Sequence, residues 1–352
     1  MKVLIIQQKM IGDVLTSSIL FELLKKHQPN YELHYLVNES TYPVVANHPY
    51  IDKFHIVTRN IERSKLEFFH FLKMIKAERY GIVIDVYSKY SSNLITLFSK
   101  AEVRISKYKW YTSFIYSHLI QESKSKQTHA GLAIENRIRM LQALGIPFEI
   151  TKPKVYLTQN EIDQAKALLK SHGIDLSKTL CMVAILGSSP VKTLPYPQMA
   201  KIIDTIVETT GGQVLFNYIP KQYPEALKVY KHSKKSTQSH IHFEVYGKNL
   251  REFLALTHHC DALIGNEGGA TNMAKALGKP TYTIFSPWIE KEAWNLFDDG
   301  VKNISVHLKD YKPELYKDIS KLKEVKPKTS AFYEQLRLDL FKKELVAFLN
   351  NL

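Results

Sequence analysis

Lys2-Val-Leu-Ile-Ile6, then Gln7-Gln-Lys-Met-Ile-Gly-Asp13, then Val14, Leu15, Ile19, Leu20, Leu23 and Leu24: these opening residues decide the fold. Val3 to Ile6 is apolar without alternation, the pattern of a strand covered on both faces of a parallel sheet. After the polar loop, apolar residues return at three- and four-residue spacing, which predicts a helix. Working outward, the same cycle repeats. Strands are predicted at Tyr31–Val37, Phe54–Val57 and Ile82–Asp85, and helices near Tyr42–Asn47, over Ser64–Lys76 and over Ala133–Leu144. Gly145 and Pro147 stop the last of these. Strand and helix in alternation with short connections imply right-handed crossovers and a parallel sheet.

A second cycle follows. A strand opens at Lys152-Pro153, and a helix over Gln159–His172 ends at Gly173. Thr179–Leu186 is a buried strand, Tyr196–Thr209 a helix, and Val214–Phe216 and His242–Val245 are strands. A helix over Leu250–Cys260 precedes the strand Ala262–Ile264. Helix Ala270–Leu277 and strand Thr281–Phe285 come next, and an amphipathic helix over about 330–349 closes the chain. The domains expected are residues 1–160, 161–329 and a C-terminal helical segment, 330–352. Two doubly wound α/β lobes of this kind are expected to face each other across a cleft. Ligands of such sheets bind outside the carboxyl ends of the strands.

Composition removes several function classes. With 352 residues, 45% hydrophobic and 11% aromatic, the chain can fill two cores and does not read as disordered. Two cysteines, Cys181 and Cys260, make no disulfide framework. No segment reads as a secretory signal or a membrane span, so a cytoplasmic protein is expected. The net charge of +14 suits nucleic acid, an acidic sugar phosphate or an anionic membrane. The charge is concentrated over residues 100–126, where Lys100, Arg104, Lys107, Lys109, Lys124 and Lys126 are interleaved with Tyr108, Trp110, Tyr111, Phe114 and Tyr116. That mixture fits the interface of an anionic inner membrane, and equally a solvated loop over packed rings. No recognition motif accompanies the charge, so nucleic acid is not the expected partner.

Four loops carry chemistry. In the first, Gly12 permits a tight turn and Asp13 stands at the start of a helix, as a base for an acceptor hydroxyl or simply as an N-cap. In the second, Gly187-Ser-Ser-Pro-Val-Lys192-Thr193, hydroxyls and a lysine can hold a diphosphate, or form an ordinary polar loop. The third, Gly265-Asn-Glu-Gly-Gly-Ala-Thr-Asn272, sets a glycine pair before a helix, where backbone N–H groups favour anions. The fourth is Phe285-Ser-Pro-Trp288. No Asp-x-Asp ends a strand, Asp298-Asp-Gly300 reads as a turn, and the 14 histidines show no metal-ligand spacing, so no metal and no other cofactor is expected.

The ordered set of segments resembles glycosyltransferase family 9, which includes the lipopolysaccharide heptosyltransferases. It is carried by Lys2–Ile6 with Ile11-Gly-Asp-Val14, His48-Pro-Tyr-Ile-Asp52, Leu186–Ser189 with Lys192, Gly265–Gly269 through Ala274–Pro280, and Phe285-Ser-Pro287. The resemblance implies a GT-B fold with an acceptor lobe, a nucleotide-sugar lobe and a final helix, 330–352, packing back on the first lobe. It puts Asp13 on the catalytic base, with Gly12, Lys107 and Lys109 on the acceptor side. Ser188, Ser189 and Lys192 fall on the diphosphate loop. Glu267, Gly268, Gly269, Ala270, Thr271 and Asn272 fall on the donor motif, usually Asp-Ser/Thr-Gly with a histidine three residues on. Here the acid is longer, the hydroxyl is missing and asparagine stands for histidine. Lys248 and Gln222 fall near the base and ribose. The implied activity is inverting, metal-independent transfer of heptose from ADP-heptose to a lipid-linked glycan of the lipopolysaccharide-core type. A sugar-nucleotide epimerase and a basic nucleic-acid-binding protein are the rival readings.

Overall fold

Val3, Leu4, Ile5 and Ile6 are wholly buried, and the strand they form, β1 (Lys2–Ile6), has a parallel neighbour on each side. The computed structural model describes residues 1–352, which divide into two units, 1–156 and 157–352. In the first unit β1 is followed by β2 (Glu32–Asn38), β3 (Lys53–Val57), β4 (Ile82–Asp85), β5 (Val103–Lys107) and β6 (His118–Ile120). The sheet runs β3-β2-β1-β4-β5-β6, all parallel. This is the doubly wound dinucleotide-fold order, whose reversal point lies between β1 and β4. Leu4, Ile6, Leu36 and Val83 form one core with Phe71, Leu72 and Ile75 of the helix Lys65–Ala77.

The second unit contains β7 (Leu180–Ala184), β8 (Gln213–Phe216), β9 (Ala262–Asn266), β10 (Thr281–Ile284) and β11 (Asn303–Val306), in the order β11-β10-β9-β7-β8. Its reversal point lies between β7 and β9. Cys181 and Cys260 are both buried, and burial pushes the Cys181 thiol up to about 12. They act as packing groups.

Four expectations are corrected. No strand forms at Lys152-Pro153, and His242–Val245 is not a strand; only Ile241 bridges Val214, while the Phe243 ring stacks on Tyr218. The stretch 100–126 is not one loop or helix face, because it contains β5 and β6. The helix expected over 330–349 is interrupted into Thr329–Gln335, a 3-10 turn Leu338–Leu340 and Lys342–Leu349. Its apolar residues Leu345, Phe348 and Leu349 join the core of the second unit, with Phe348 against Tyr282.

Candidate active site

In the first unit the turn after β1 is made by Gln7 to Met10, and Gly12 lies inside the helix Ile11–Ser17. The tight-turn role expected of Gly12 is therefore not the one it takes. Met10 is the N-cap, and Asp13 is the third helical residue, so the capping alternative for Asp13 falls away. Its carboxylate is held by Arg137, whose Nη2 donates to Asp13 Oδ1 at 2.7 Å. The same guanidinium donates through Nε to Ser17 Oγ at 2.9 Å and through Nη1 to the Ala133 carbonyl at 2.8 Å. Three bonds fix the arginine, and the arginine fixes one oxygen of the acid. Asp13 remains 25% exposed against 11% for Arg137, so the acid still meets solvent. Arg137 sits on the helix Leu132–Met140 and was not anticipated, being 124 positions away in sequence.

Across the reversal point, Asp85 ends β4 with no exposure. Burial pushes its carboxyl above the usual range. Tyr116 donates to its Oδ2 at 2.6 Å and the Ser88 amide to its Oδ1 at 2.7 Å. Lys109 caps the Ser88 carbonyl, and burial lowers its ammonium. Lys107 faces Glu122 at 3.8 Å. Lys107 ends β5 and Lys109 follows it, on the same edge of the sheet as Asp13.

In the second unit the loops after β7 and β9 meet. Asn266, the last residue of β9, donates to the Ala184 carbonyl at 3.0 Å and accepts from the Leu194 amide at 2.8 Å. Gly187 is required by closeness: a Cβ there would lie 2.1 Å from the Lys192 carbonyl oxygen. Its amide donates to Thr193 Oγ1 at 3.0 Å, and Ser286 and Trp288 both donate to the Val191 carbonyl, at 2.7 and 2.9 Å. This stitching delivers Lys192, whose Nζ lies 3.0 Å from Glu267 Oε1. The contact is one of charge, off the line of a hydrogen bond. Lys192 and Lys326 both approach the Trp288 ring, at 5.7 and 4.9 Å from its centroid.

Gly268, at φ 155°, is the N-cap of the helix Gly269–Ala276. Ala270 and Thr271 lie in its first turn, where N–H groups have no intrahelical partner, while the Asn272 amide already donates to the Gly268 carbonyl at 3.4 Å. Thr271 Oγ1 is buried and without a partner. Ser188 and Ser189 precede the 3-10 turn Pro190–Lys192. Gln222 Oε1 accepts from the Ile219 amide at 3.1 Å, and the Lys248 backbone amide donates to Glu252 at 3.0 Å while its side chain is exposed.

The histidines are less scattered than their spacing suggests. His34, His55 and Glu78 place ligand-type atoms within 4.8 Å of one another. The Tyr80 hydroxyl lies 2.7 Å from His34 Nδ1 and 2.6 Å from His55 Nε2, and Glu32 takes His34 Nε2 at 2.8 Å. One hydroxyl can donate to one ring and accept from the other, so the cluster is a hydrogen-bonded network, set beside the start of β4 rather than at the carboxyl ends.

The family model described as glycosyltransferase family 9 (heptosyltransferase) matches residues 68–322. The chain belongs to glycosyltransferase family 9. The family-9 chain is 24% identical over 307 residues to lipopolysaccharide heptosyltransferase 1 of Campylobacter coli, covering 81% of this chain and 84% of that one. A crystal structure of a family 9 glycosyl transferase from Veillonella parvula superposes with a TM-score of 0.77, at 17% identity, over 98% of this chain and 97% of that one. The E. coli ADP-heptose lps heptosyltransferase II superposes with a TM-score of 0.69, at 15% identity, over 96% and 99%. The fold is thus GT-B, two parallel-sheet α/β units. No helix of this family-9 chain is long and apolar enough to cross a membrane.

Proposed function

We propose that this family-9 glycosyltransferase moves a heptose from ADP-heptose to a lipid-linked glycan of the lipopolysaccharide-core type, with inversion and without a metal. The carrying observation is Lys192, brought by a stitched loop to the N-terminus of the helix Gly269–Ala276 at the reversal point of a parallel sheet. A lysine, backbone N–H groups and serine hydroxyls together favour the diphosphate of a nucleotide sugar. The names of the relatives supply the sugar and acceptor classes.

In the reaction the acceptor hydroxyl oxygen bonds to the anomeric carbon as the bond from that carbon to the β-phosphate oxygen breaks. Asp13 takes the hydroxyl proton, and the nucleoside diphosphate leaves with the electron pair. Lys192 and the helix start hold the charge that develops there, a task that needs no metal. Glu267 now faces Lys192, so an incoming diphosphate competes with an internal carboxylate for the same ammonium. The rearranged Glu267-Gly268-Gly269 motif, with Asn272 beyond it, bears on which sugar is accepted.

A thermal-shift series with ADP, UDP and GDP and their sugars tests the donor. Selective stabilisation by ADP and ADP-heptose is expected. A response to UDP or GDP alone overturns the ADP assignment, and conversion of the donor with no acceptor present favours an epimerase.

A further inference from the structure

Five aromatic rings on one edge of the first unit stand out from the surface. Tyr90 is 81% exposed, Phe114 79%, Trp110 77%, Tyr111 56% and Tyr108 52%. Tyr90 starts the helix Tyr90–Ser99, and Trp110, Tyr111 and Phe114 lie on the 3-10 turn Trp110–Ile115, which packs on that helix; Tyr108 lies between β5 and the turn. The segment is firmly held. Thr112, Ile115 and Tyr116 are buried beneath it, the Tyr116 hydroxyl donates to Asp85 with the Asn93 side-chain amide 2.8 Å away, and Arg104 donates to the Ile115 carbonyl at 2.6 Å. A fixed turn that keeps Trp110 and Phe114 in water pays a hydrophobic penalty unless something covers them.

The surroundings say what covers them. Residues 100–126 carry six basic side chains against two acidic ones, and Lys89 is exposed directly before Tyr90. Protein interfaces deplete lysine at their centres, and a second copy of a chain with net charge +14 would bring like charge to like. Projecting Trp, Tyr and Phe ringed by lysine match the chemistry of an anionic lipid interface, where rings settle at headgroup depth and ammonium groups meet phosphate.

We propose that the face formed by Tyr90, Trp110, Tyr111 and Phe114 with its surrounding lysines docks this chain on an anionic lipid bilayer. All strands of the sheet are parallel, and Tyr90 and Trp110 come directly after the carboxyl ends of β4 and β5, the edge that also bears Asp13. The docking would present that edge to an acceptor embedded in the same bilayer, a purpose that rests on the acceptor being lipid-linked. The binding itself needs neither donor nor acceptor.

The test is sedimentation of the full chain with vesicles of phosphatidylethanolamine and phosphatidylglycerol, and with phosphatidylcholine vesicles, all free of glycolipid. Binding to the anionic vesicles is expected, falling about tenfold on phosphatidylcholine and about tenfold in the W110S/F114S variant. K124E/K126E is expected to weaken only the anionic binding, by about threefold. An unchanged melting temperature and unchanged transfer to a deacylated acceptor show that W110S/F114S is folded and active. Wild-type protein left in the supernatant with anionic vesicles, or undiminished binding by W110S/F114S, overturns the proposal. Loss of transfer with vesicle binding intact would instead count against the proposed reaction.

Discussion

The reversal points of the two sheets are built alike and charged oppositely. In the first unit an arginine from a distant helix clamps one oxygen of Asp13, and the acid is the exposed member of the pair. In the second unit the lysine is the exposed member, at 25%, and its acid, Glu267, is 8% exposed. Each sheet thus holds one charge outward by burying its opposite. The outward carboxylate suits a proton, and the outward ammonium suits a phosphate.

Breaking the first pair should have the largest effect. Asp13→Asn is expected to lower turnover by about 10²–10⁴-fold while leaving the donor dissociation constant within about threefold, read by steady-state kinetics and calorimetry. Equal losses in both would place Asp13 in donor binding. Lys192→Met is next, with kcat/KM down about 10²–10³-fold and donor affinity falling too. A change in neither would detach Lys192 from the leaving group. Arg137→Met sharpens the comparison by removing the clamp. Turnover should fall about tenfold or more, with stability down by about 1–3 kcal/mol, because half-buried bonds to Ser17 and the Ala133 carbonyl go with it.

Acid acts on both units more gently. Burial lowers His48 and His55 in the first unit and His307 in the second to about 4. The unfolded chain binds these protons near 6.5, so stability is full above that pH and drains as pH falls towards 4. Each contributes about 3 kcal/mol at most. Burial also lowers His242 and His258 in the second unit, so both units should lose stability, seen as a lower melting temperature at pH 5 than at pH 7. Smallest is Glu267→Gln, which frees Lys192 and should tighten donor binding about two- to fivefold. Weaker binding would make Glu267 a donor contact instead.

Much of this was legible from residue pattern. β1, β4, β7 and β9 are mostly runs of apolar residues, because each is covered on both faces. Loops directly after such runs fall at the carboxyl edge, which is why Asp13, Lys192 and the Gly268-Gly269 turn could be chosen in advance. β5, Val-Arg-Ile-Ser-Lys, and β11, Asn-Ile-Ser-Val, were missed because polar residues break the run; Thr281 and Asn303 satisfy each other between β10 and β11. His242–Val245 misled in the other direction, since β-branched and aromatic residues there serve the ring cluster around Tyr218. Arg137 and the Tyr80 network left no local trace. Their partners meet only once the strands are aligned, and spacing along the chain does not carry that information.

The most direct test is to incubate the chain with ADP-heptose and a deacylated lipopolysaccharide-core acceptor and examine the product by mass and anomeric configuration. An acceptor heavier by one heptose, with inverted linkage and ADP released in equal amount, is the predicted result. A product of retained configuration, or ADP-heptose bound but never transferred to any such acceptor, would contradict it.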